Sequence, residues 1–405
     1  MHNPFDLTLS DIIMAKDHKR NKQSPTPSDD QLAAVRRLAG SGDLSQARQR
    51  LAALRKSFPD FKPLLVLAWE IEDRHNQPMI ATARALEWQS ASPNSQAAEK
   101  ALCKSAEAAG LAAVYARALQ RLSVLKGGEV IQLPEIIESE DESIPLAVLE
   151  LIDLSIMHLA DDKPATAIAL LQNVNHPATR NNLAQAFFVS GDIVQAHAVA
   201  EANWQAHPQN LFALERTVRW RCWIEGMDRC LGFTATLTHS TPERIEDAIA
   251  QVAALRFLDD ENGAQQAWQK SSKATFWQHA DEEQRKLFYG LKNPQVGSLW
   301  SSSVWFPDTW IRAVRNFSTQ SGGVGDDQPE QHWDGLLSTC SAHADYLVRA
   351  ADMGNEITRM LALAVLKLRA KQGDAAALAN LQAMLKRPND SDTERTEIAK
   401  LLNDA

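Results

Sequence analysis

Residues 32–60, LAAVRRLAGSGDLSQARQRLAALRKSFPD, decide the fold because later stretches of the chain copy their pattern. An Ala- and Leu-rich helical segment runs to a Gly-Asp turn at Gly42, and a second helical segment follows the turn. Ala47 has a small side chain where two helices must pack closely. Pro59 ends the second segment, because a helix does not continue through proline. The stretch therefore predicts a helix–turn–helix unit.

The same pattern returns at a fixed interval further along the chain. Residues 62–94, KPLLVLAWEIEDRHNQPMIATARALEWQSASPN, carry Ala81 and Pro93, each thirty-four residues after its counterpart in the first stretch. A third unit from residue 96 places Gly110 at the turn between its two helices. A fixed period of this length is typical of stacked helix pairs, each of which buries its apolar side against the next.

Later units keep the spacing between the turn glycine, the small residue and the terminal proline, but the whole block is out of phase with the first units. Residues 180–210, RNNLAQAFFVSGDIVQAHAVAEANWQAHPQN, place a turn glycine, a small residue and a terminal proline at the offsets of the first unit, namely Gly191, Ala196 and Pro208. This block lies thirteen residues beyond a whole number of periods, and the acidic residues 130–142 supply an insert of that length. We therefore predict two sub-arrays joined by a negatively charged linker.

Together, the small residue, the turn glycine and the terminal proline resemble the pattern of the tetratricopeptide repeat family across residues 28–276. A looser unit at residues 357–390 has Ala376 twelve residues before Pro388, as in the first unit. The family's large aromatic residue at the start of the first helix is mostly missing, so these are divergent repeats. The resemblance implies an all-α solenoid of helix–turn–helix repeats, whose first helices line a concave face.

The expected organisation has six parts. They are a flexible N-terminal segment (1–28), a first array (29–129), an acidic linker (130–142), a second array (143–276), a Trp-rich irregular region (277–344) and a C-terminal helical repeat with its cap (345–405). The Trp-rich region lies outside the repeat pattern and contains Trp277, Trp300, Trp305, Trp310 and Trp333. Because tryptophan serves both cores and binding interfaces, an irregular core and a set of partner anchors both remain open.

The resemblance also implies which residues face a partner, because four positions of the first helix line the groove in that family. In the first array these positions carry the mixed charges of a solvated face: Arg36, Glu70, Asp73, Arg74, Lys100, Lys104 and Glu107. In the second array, asparagine can hydrogen-bond a peptide backbone and arginine can hold a carboxylate through two donors, although the lysines of the family's carboxylate clamp are absent. The partner-binding hypothesis names Asn181, Asn182, Gln185, Phe188, Arg216, Arg219, Trp223, Trp305 and Trp310.

Two segments outside the repeats, the acidic linker and residues 5–14, each have two interpretations. The acidic linker is either a plain solvated connection or a tethered anionic segment that occupies the second groove until a partner displaces it. Residues 5–14, which precede the array, suit a docking peptide for another protein or a helix that caps the first repeat.

Composition narrows the class of protein. The formal net charge of −9 over 405 residues argues against general nucleic-acid binding, and a basic cluster at residues 16–22 suits a solubilising tail or a contact with an anionic surface. Four cysteines without paired spacing argue against a disulfide framework or a zinc ribbon. Without a signal peptide or a run of roughly twenty apolar residues, the sequence predicts a soluble, cytoplasmic protein.

Motifs for catalysis or metal binding are scarce. The glycines of residues 322–325 lack the Lys-Ser/Thr pair and the preceding strand of a phosphate loop. His332, Cys340, His343 and Asp345 have metal-ligand chemistry but no second ligand pair. We therefore expect no catalytic residue, no metal and no cofactor.

The leading functional hypothesis is a non-catalytic scaffold or adaptor that binds proteins or peptides within a larger bacterial complex, as a homo- or hetero-oligomer. One alternative is a regulatory or sensor subunit of a multi-component enzyme, secretion or defence system. The other is an enzyme with an unrecognised site in residues 277–356.

Overall fold

The computed structural model describes residues 26–138, 143–278, 280–292, 302–320 and 329–386, together with Thr396, Ala399 and Lys400. Several features named above lie outside these residues: the N-terminal segment up to residue 25, the tip of the acidic linker (139–142), Trp300, the glycines of 322–325 and most of the C-terminal cap. The described chain is all-α apart from one short hairpin. In this part of the chain, no helix is both long enough and apolar enough to cross a membrane.

The chain divides into two compact units, Met1–Leu170 and Leu171–Ala405. The first unit contains three helix pairs, a hairpin and a fourth helix pair that ends at the boundary. Its elements are α1 (Asp29–Gly40), α2 (Leu44–Ser57), α3 (Pro63–Arg74), α4 (Pro78–Ala91), α5 (Gln96–Ala108), α6 (Ala112–Leu125), β1 (Ile136–Glu138), β2 (Ser143–Pro145), α7 (Leu146–Ala160) and α8 (Pro164–Leu171).

The second unit continues with helix pairs and then with the Trp-rich region. Its helices are α9 (Pro177–Ser190), α10 (Ile193–Ala206), α11 (Leu211–Glu225), α12 (Phe233–His239), α13 (Ile245–Phe257), α14 (Glu261–Ser271), α15 (Glu282–Gly290), α16 (Ser302–Trp305), α17 (Asp308–Gln320), α18 (Pro329–Ser338), α19 (Ala344–Met353), α20 (Glu356–Lys371) and α21 (Ala375–Leu385). Short 3₁₀ turns at Met227–Arg229 and Thr275–Gln278 interrupt this series.

The turns inside the helix pairs account for the repeat. Gly42, Asn76 and Gly110 have left-handed backbone angles, with φ of +86°, +52° and +71°, and lie thirty-four residues apart. At each turn the following residue donates its backbone N–H to the carbonyl five residues earlier, as Asp43 does to Leu38 at 3.0 Å. This hydrogen bond satisfies a carbonyl at the helix end, and the turn requires a residue that tolerates positive φ. The period is therefore set by the spacing of left-handed turns.

A buried alanine follows five residues that have positive φ, namely Gly42, Asn76, Asp162, Gly191 and Asp259. Five residues after the left-handed residue, the chain places Ala47, Ala81, Ala167, Ala196 and Ala264, each at most 1% exposed. A side chain no larger than a methyl group lets paired helices approach closely. In the C-terminal pair the sequence-based assignment was one residue off: Ala377 is buried, whereas Ala376 is exposed. The cause is the local spacing, because Gly373 lies only four residues before the buried alanine.

Two regions lie outside the regular helix pairs. Residues 136–138 of the acidic linker form β1, which pairs antiparallel with β2 and sets Ile137 opposite Ile144. The Trp-rich region contains α15–α18 where it is described, and Trp305 and Trp310 belong to a large core of the second unit. The boundary between the two units falls at Leu170–Leu171, and α7 packs on α4 and α6.

Gly40 and Gly42 allow a test of whether the first turn requires a residue that tolerates positive φ. Nothing lies within 4 Å of a Cβ added at Gly42 or Gly40, so only backbone conformation distinguishes the two positions. We expect Gly42→Ala to lower the free energy of unfolding by about 1 kcal/mol, because φ there is positive. Gly40→Ala, at the end of α1, should instead raise it by about 0.5–1 kcal/mol. Urea unfolding followed by circular dichroism measures both, and effects of the same sign would contradict the assignment.

Candidate partner-binding site

The first helices of the second array, α9, α11 and α13, provide the face on which the partner-binding hypothesis was built. Residues 302–320 and 329–346 of the same chain cover the C-terminal parts of α9 and α11. Trp223 packs edge-on against Tyr346 and Phe306, with ring centroids 4.9 and 6.2 Å apart. The backbone N–H of His343 donates to the carbonyl of Trp223 at 2.8 Å. The chain therefore fills part of its own groove.

This covering corrects the hypothesis for five residues, which the structure places in the core rather than on a free surface: Phe188, Arg219, Trp223, Trp305 and Trp310. Phe188 stacks on Trp220 at 5.3 Å between ring centroids. Arg219 Nη1 donates to the carbonyl of Val304 at 2.7 Å. The aromatic residues of this group are buried because removing their large apolar area from water stabilises the folded state, and another segment of the chain is available to cover them.

Asn181 also has an internal role. Its Oδ1 accepts hydrogen bonds from Nδ2 of Asn203 at 2.8 Å and from Nδ2 of Asn210 at 3.4 Å. Asn210 in turn caps α11, because its Oδ1 accepts from the backbone N–H of Ala213 at 3.0 Å. The three asparagines tie α9, α10 and α11 together. Asn181 therefore positions helices, and its side-chain oxygen is already used.

The N-terminal part of the same face carries Arg216, Gln185 and Phe212, which we call the Arg216 site. Arg216 is partly buried, and its Nη2 donates to Oε1 of Gln185 at 3.0 Å. Its guanidinium carbon lies 3.6 Å from the centroid of the Phe212 ring. Asn182, one helical turn before Gln185, is partly exposed and donates from Nδ2 to the carbonyl of Ala178 at 3.1 Å.

The charge of Arg216 is not balanced by a carboxylate of its own. Glu215, the neighbouring acid, pairs with Arg219 at 3.0 Å. Arg216 Nε is buried and has no hydrogen-bond partner among the described residues. Burial lowers the pKa of Arg216 to about 9; attraction to Glu215 opposes this shift and repulsion from Arg219 adds to it. At neutral pH the guanidinium is therefore still charged.

A partly buried guanidinium without a counter-ion favours an anionic ligand. Leaving such a charge without a counter-ion costs free energy, and a carboxylate or phosphate oxygen compensates it with charge-assisted hydrogen bonds. Phe212 holds the guanidinium plane from one side through a cation–π contact. Sequence reasoning missed Phe212, although its spacing of four residues from Arg216 puts the two on one side of a helix.

On the face predicted in the first array, two pairs of opposite charges are in contact, Lys104 with Asp73 and Arg74 with Glu70. Lys104 Nζ lies 2.7 Å from Oδ2 of Asp73 and 5.6 Å from the centroid of the Trp69 ring. Burial raises the pKa of Glu70, while the charges of Arg74 and Arg36 oppose the shift. Lys100 is partly exposed on α5 and Glu107 is exposed. These contacts bring α1, α3 and α5 together on one surface.

The metal-type residues near the C-terminus have structural roles instead. His343 caps α19, since its Nδ1 accepts from the backbone N–H of Asp345 at 3.3 Å. Asp345 accepts from the backbone N–H of Met227 and from Nδ2 of Asn380, both at 3.0 Å, while Cys340 is buried. Over the part of the chain that the structure describes, no group of three or more His, Cys, Asp or Glu residues is arranged to hold a metal ion.

Comparisons with known proteins leave the family open. No protein-family model matches the chain, and no curated protein matches it. Among solved structures, it is similar to a tetratricopeptide repeat protein from Parabacteroides merdae ATCC 43184, with 12% identity and a TM-score of 0.29, over 65% of this chain and 98% of that chain. A likeness at this TM-score carries no argument about site or function. The chain is an all-α protein built of packed helix pairs.

Proposed function

We propose that this chain is a divergent tetratricopeptide repeat protein that acts as a non-catalytic scaffold or adaptor, binding an acidic segment of a partner protein at the Arg216 site. The observation that carries the proposal is a charged, partly buried guanidinium without a carboxylate partner on the face of the first helices. The extended surface of stacked helix pairs supports the same function.

The proposed binding mode uses each group of the site for one task. A partner carboxylate, from a side chain or a chain terminus, accepts from the terminal Nη groups of Arg216 rather than from the buried Nε, in the parallel geometry that guanidinium favours. Asn182 and Gln185 offer amide groups to the partner's backbone. Phe212 keeps the guanidinium in place, so that little side-chain freedom is lost on binding. The buried part of the groove, at Trp223, contributes rigidity rather than contacts.

Arg216→Gln tests this mode. It removes the charge and most donors while keeping a polar side chain. We expect it to weaken binding of the partner at least about tenfold, since a desolvated charge pair is lost. The matched control is Arg229→Gln, because Arg229 is an exposed arginine on the neighbouring 3₁₀ turn. Affinity purification of the tagged full chain at native expression, with identification of the bound proteins, supplies the partner, and titration calorimetry measures its affinity for each variant.

Two results would overturn the proposal. The first is a chain that is purified alone and monomeric at low salt, which removes the scaffold function. The second is a partner that binds Arg216→Gln and Arg229→Gln equally well, which removes the Arg216 site. If the partner binds wild type and Arg229→Gln but binds Arg216→Gln much more weakly, the result supports both the scaffold function and the Arg216 site.

A further inference from the structure

An open cavity of about 400 Å³ lies in the first unit, where α2 ends and α3 begins. Its wall is largely apolar, with two cations and one small exposed residue at the edge: Phe58, Pro59, Phe61, Leu64, Leu65, Arg55, Lys56 and Ala52. We call it the α2–α3 pocket. A cavity of this kind suits an apolar side chain that is followed or preceded by a carboxylate.

The edge of the α2–α3 pocket has surplus positive charge. Arg55 lies 2.9 Å from Glu87, which also receives Arg84 at 2.7 Å and Lys163 at 3.1 Å. Arg84 and Lys163 both contact Asp161 as well. Three cations therefore share two carboxylates in this network.

Lys56 adds a further cation to the same edge. Its side chain is exposed, and it has no ion pair among the described residues. The surplus favours an acidic occupant.

The chain itself displays the complementary chemistry on residues 129–142. This segment has six carboxylates and no lysine or arginine. Its large exposed apolar residues each follow an exposed glutamate directly: Val130, 56% exposed, follows Glu129, and Ile136, 51% exposed, follows Glu135. An apolar side chain beside a carboxylate is what the α2–α3 pocket is shaped and charged to accept.

The described part of this segment, residues 129–138, is held by hydrogen bonds. The carbonyl of Ile131 accepts from Nε2 of Gln120 at 2.7 Å, and the carbonyl of Glu135 accepts from the backbone N–H of Leu146 at 2.8 Å. The β1–β2 pairing then fixes Ile136 at the start of the hairpin. Such an ordered apolar residue loses little conformational freedom when it docks.

The hairpin and the charged network beside the pocket lie at opposite ends of α7. The hairpin leads into the start of α7 at Leu146, whereas the network contacts Asp161, just after the last residue of α7. A helix of fifteen residues separates these two points by about 22 Å. The hairpin of a second copy approaches the pocket from outside and does not have to span this distance.

We propose that the α2–α3 pocket binds the β1–β2 hairpin of a second copy of this chain. Ile136 of one copy enters the cavity, and Glu135 lies against Arg55 and Lys56 of the other copy. The contact joins different surfaces of the two copies, so it is heterologous and produces either a closed ring or an open chain of molecules. It is independent of the Arg216 site.

Sedimentation equilibrium of the full chain tests the proposal. Wild type should associate as its concentration rises, and Lys56→Glu or Ile136→Lys should each weaken association at least about tenfold. The controls are Lys62→Glu, an exposed lysine just outside the pocket, and Gln132→Lys, an exposed residue of the same segment; both should associate like wild type. An equimolar mixture of Lys56→Glu and Ile136→Lys should form a 1:1 complex, because one intact pocket and one intact hairpin remain.

A labelled peptide of residues 129–145 provides a second measurement that does not depend on oligomeric state. Fluorescence anisotropy should show it binding to wild type and not to Lys56→Glu. A chain that stays monomeric up to about 100 µM overturns the proposal, whether or not the peptide binds, because the second copy is then not the occupant. Association that persists in both variants, or variants that fail to complement each other, also overturns it.

Discussion

Replacing Trp305 by alanine is expected to lower the free energy of unfolding of the second unit by about 3–5 kcal/mol. Trp305 is fully buried, and its ring centroid lies 6.2 Å from that of Phe257 and 5.9 Å from that of Tyr346. Its backbone carbonyl accepts the hydroxyl of Tyr346 at 2.8 Å. Truncation removes a large apolar area and leaves a cavity among rigid neighbours, and both effects destabilise the folded state.

Tyr289→Ala is the matched control, because Tyr289 is an aromatic residue of the same region but is 59% exposed. This substitution should lower the free energy of unfolding by less than about 1 kcal/mol. Urea unfolding followed by far-UV circular dichroism measures both variants. If Trp305→Ala destabilised the protein no more than Tyr289→Ala, the helix that contains Trp305 would be loosely attached, and the groove of the second array would be open after all.

Arg219→Met is the second substitution with a large expected effect, about 3–5 kcal/mol of destabilisation. Arg219 and Glu215 are both buried, with Nε and Oε1 3.0 Å apart. Removing the guanidinium leaves the buried Glu215 carboxylate without the cation that is in direct contact with it. It also breaks the hydrogen bond to the carbonyl of Val304, which joins α11 to the covering segment.

Two companion variants separate charge from packing. The double variant Arg219→Met with Glu215→Met should recover most of the stability, because neither member of the buried ion pair is left without the other. Lys104→Met breaks an exposed ion pair with Asp73 and should cost less than about 1 kcal/mol. The same urea titration measures all three. An Arg219→Met loss as small as that of Lys104→Met would show that water reaches Glu215 and that the face is not sealed.

The sequence predicted the helix pairs well because the information is local. A glycine that ends one helix and an aspartate that begins the next both act within a few residues. Asp43 and Asp192 confirm this, since each accepts a hydrogen bond at Oδ1 from the backbone N–H three residues later. The turns at Asp162 and Asp259 were missed because aspartate, unlike glycine, does not by itself indicate a left-handed backbone.

The binding residues were predicted less well because their availability is not a local property. The family-like positions selected Gln185, and Arg216 was added as a neighbour of these positions; the structure brings the two side chains into contact. The same positions also selected Phe188 and Arg219, which are buried. No pattern in α9 or α11 distinguishes these two pairs.

The sequence by itself determined that this protein is a series of helix pairs, the first three of which have turns thirty-four residues apart, because turns, caps and small packing residues act over short distances along the chain. Only the tertiary structure decided which part of the second groove is free. The contact between Arg219 and Val304 joins residues eighty-five positions apart, and such a return of the chain depends on the total burial of aromatic area rather than on any spacing. Because the other part of the groove is buried, Arg216 is the charged residue at which we propose that the partner binds.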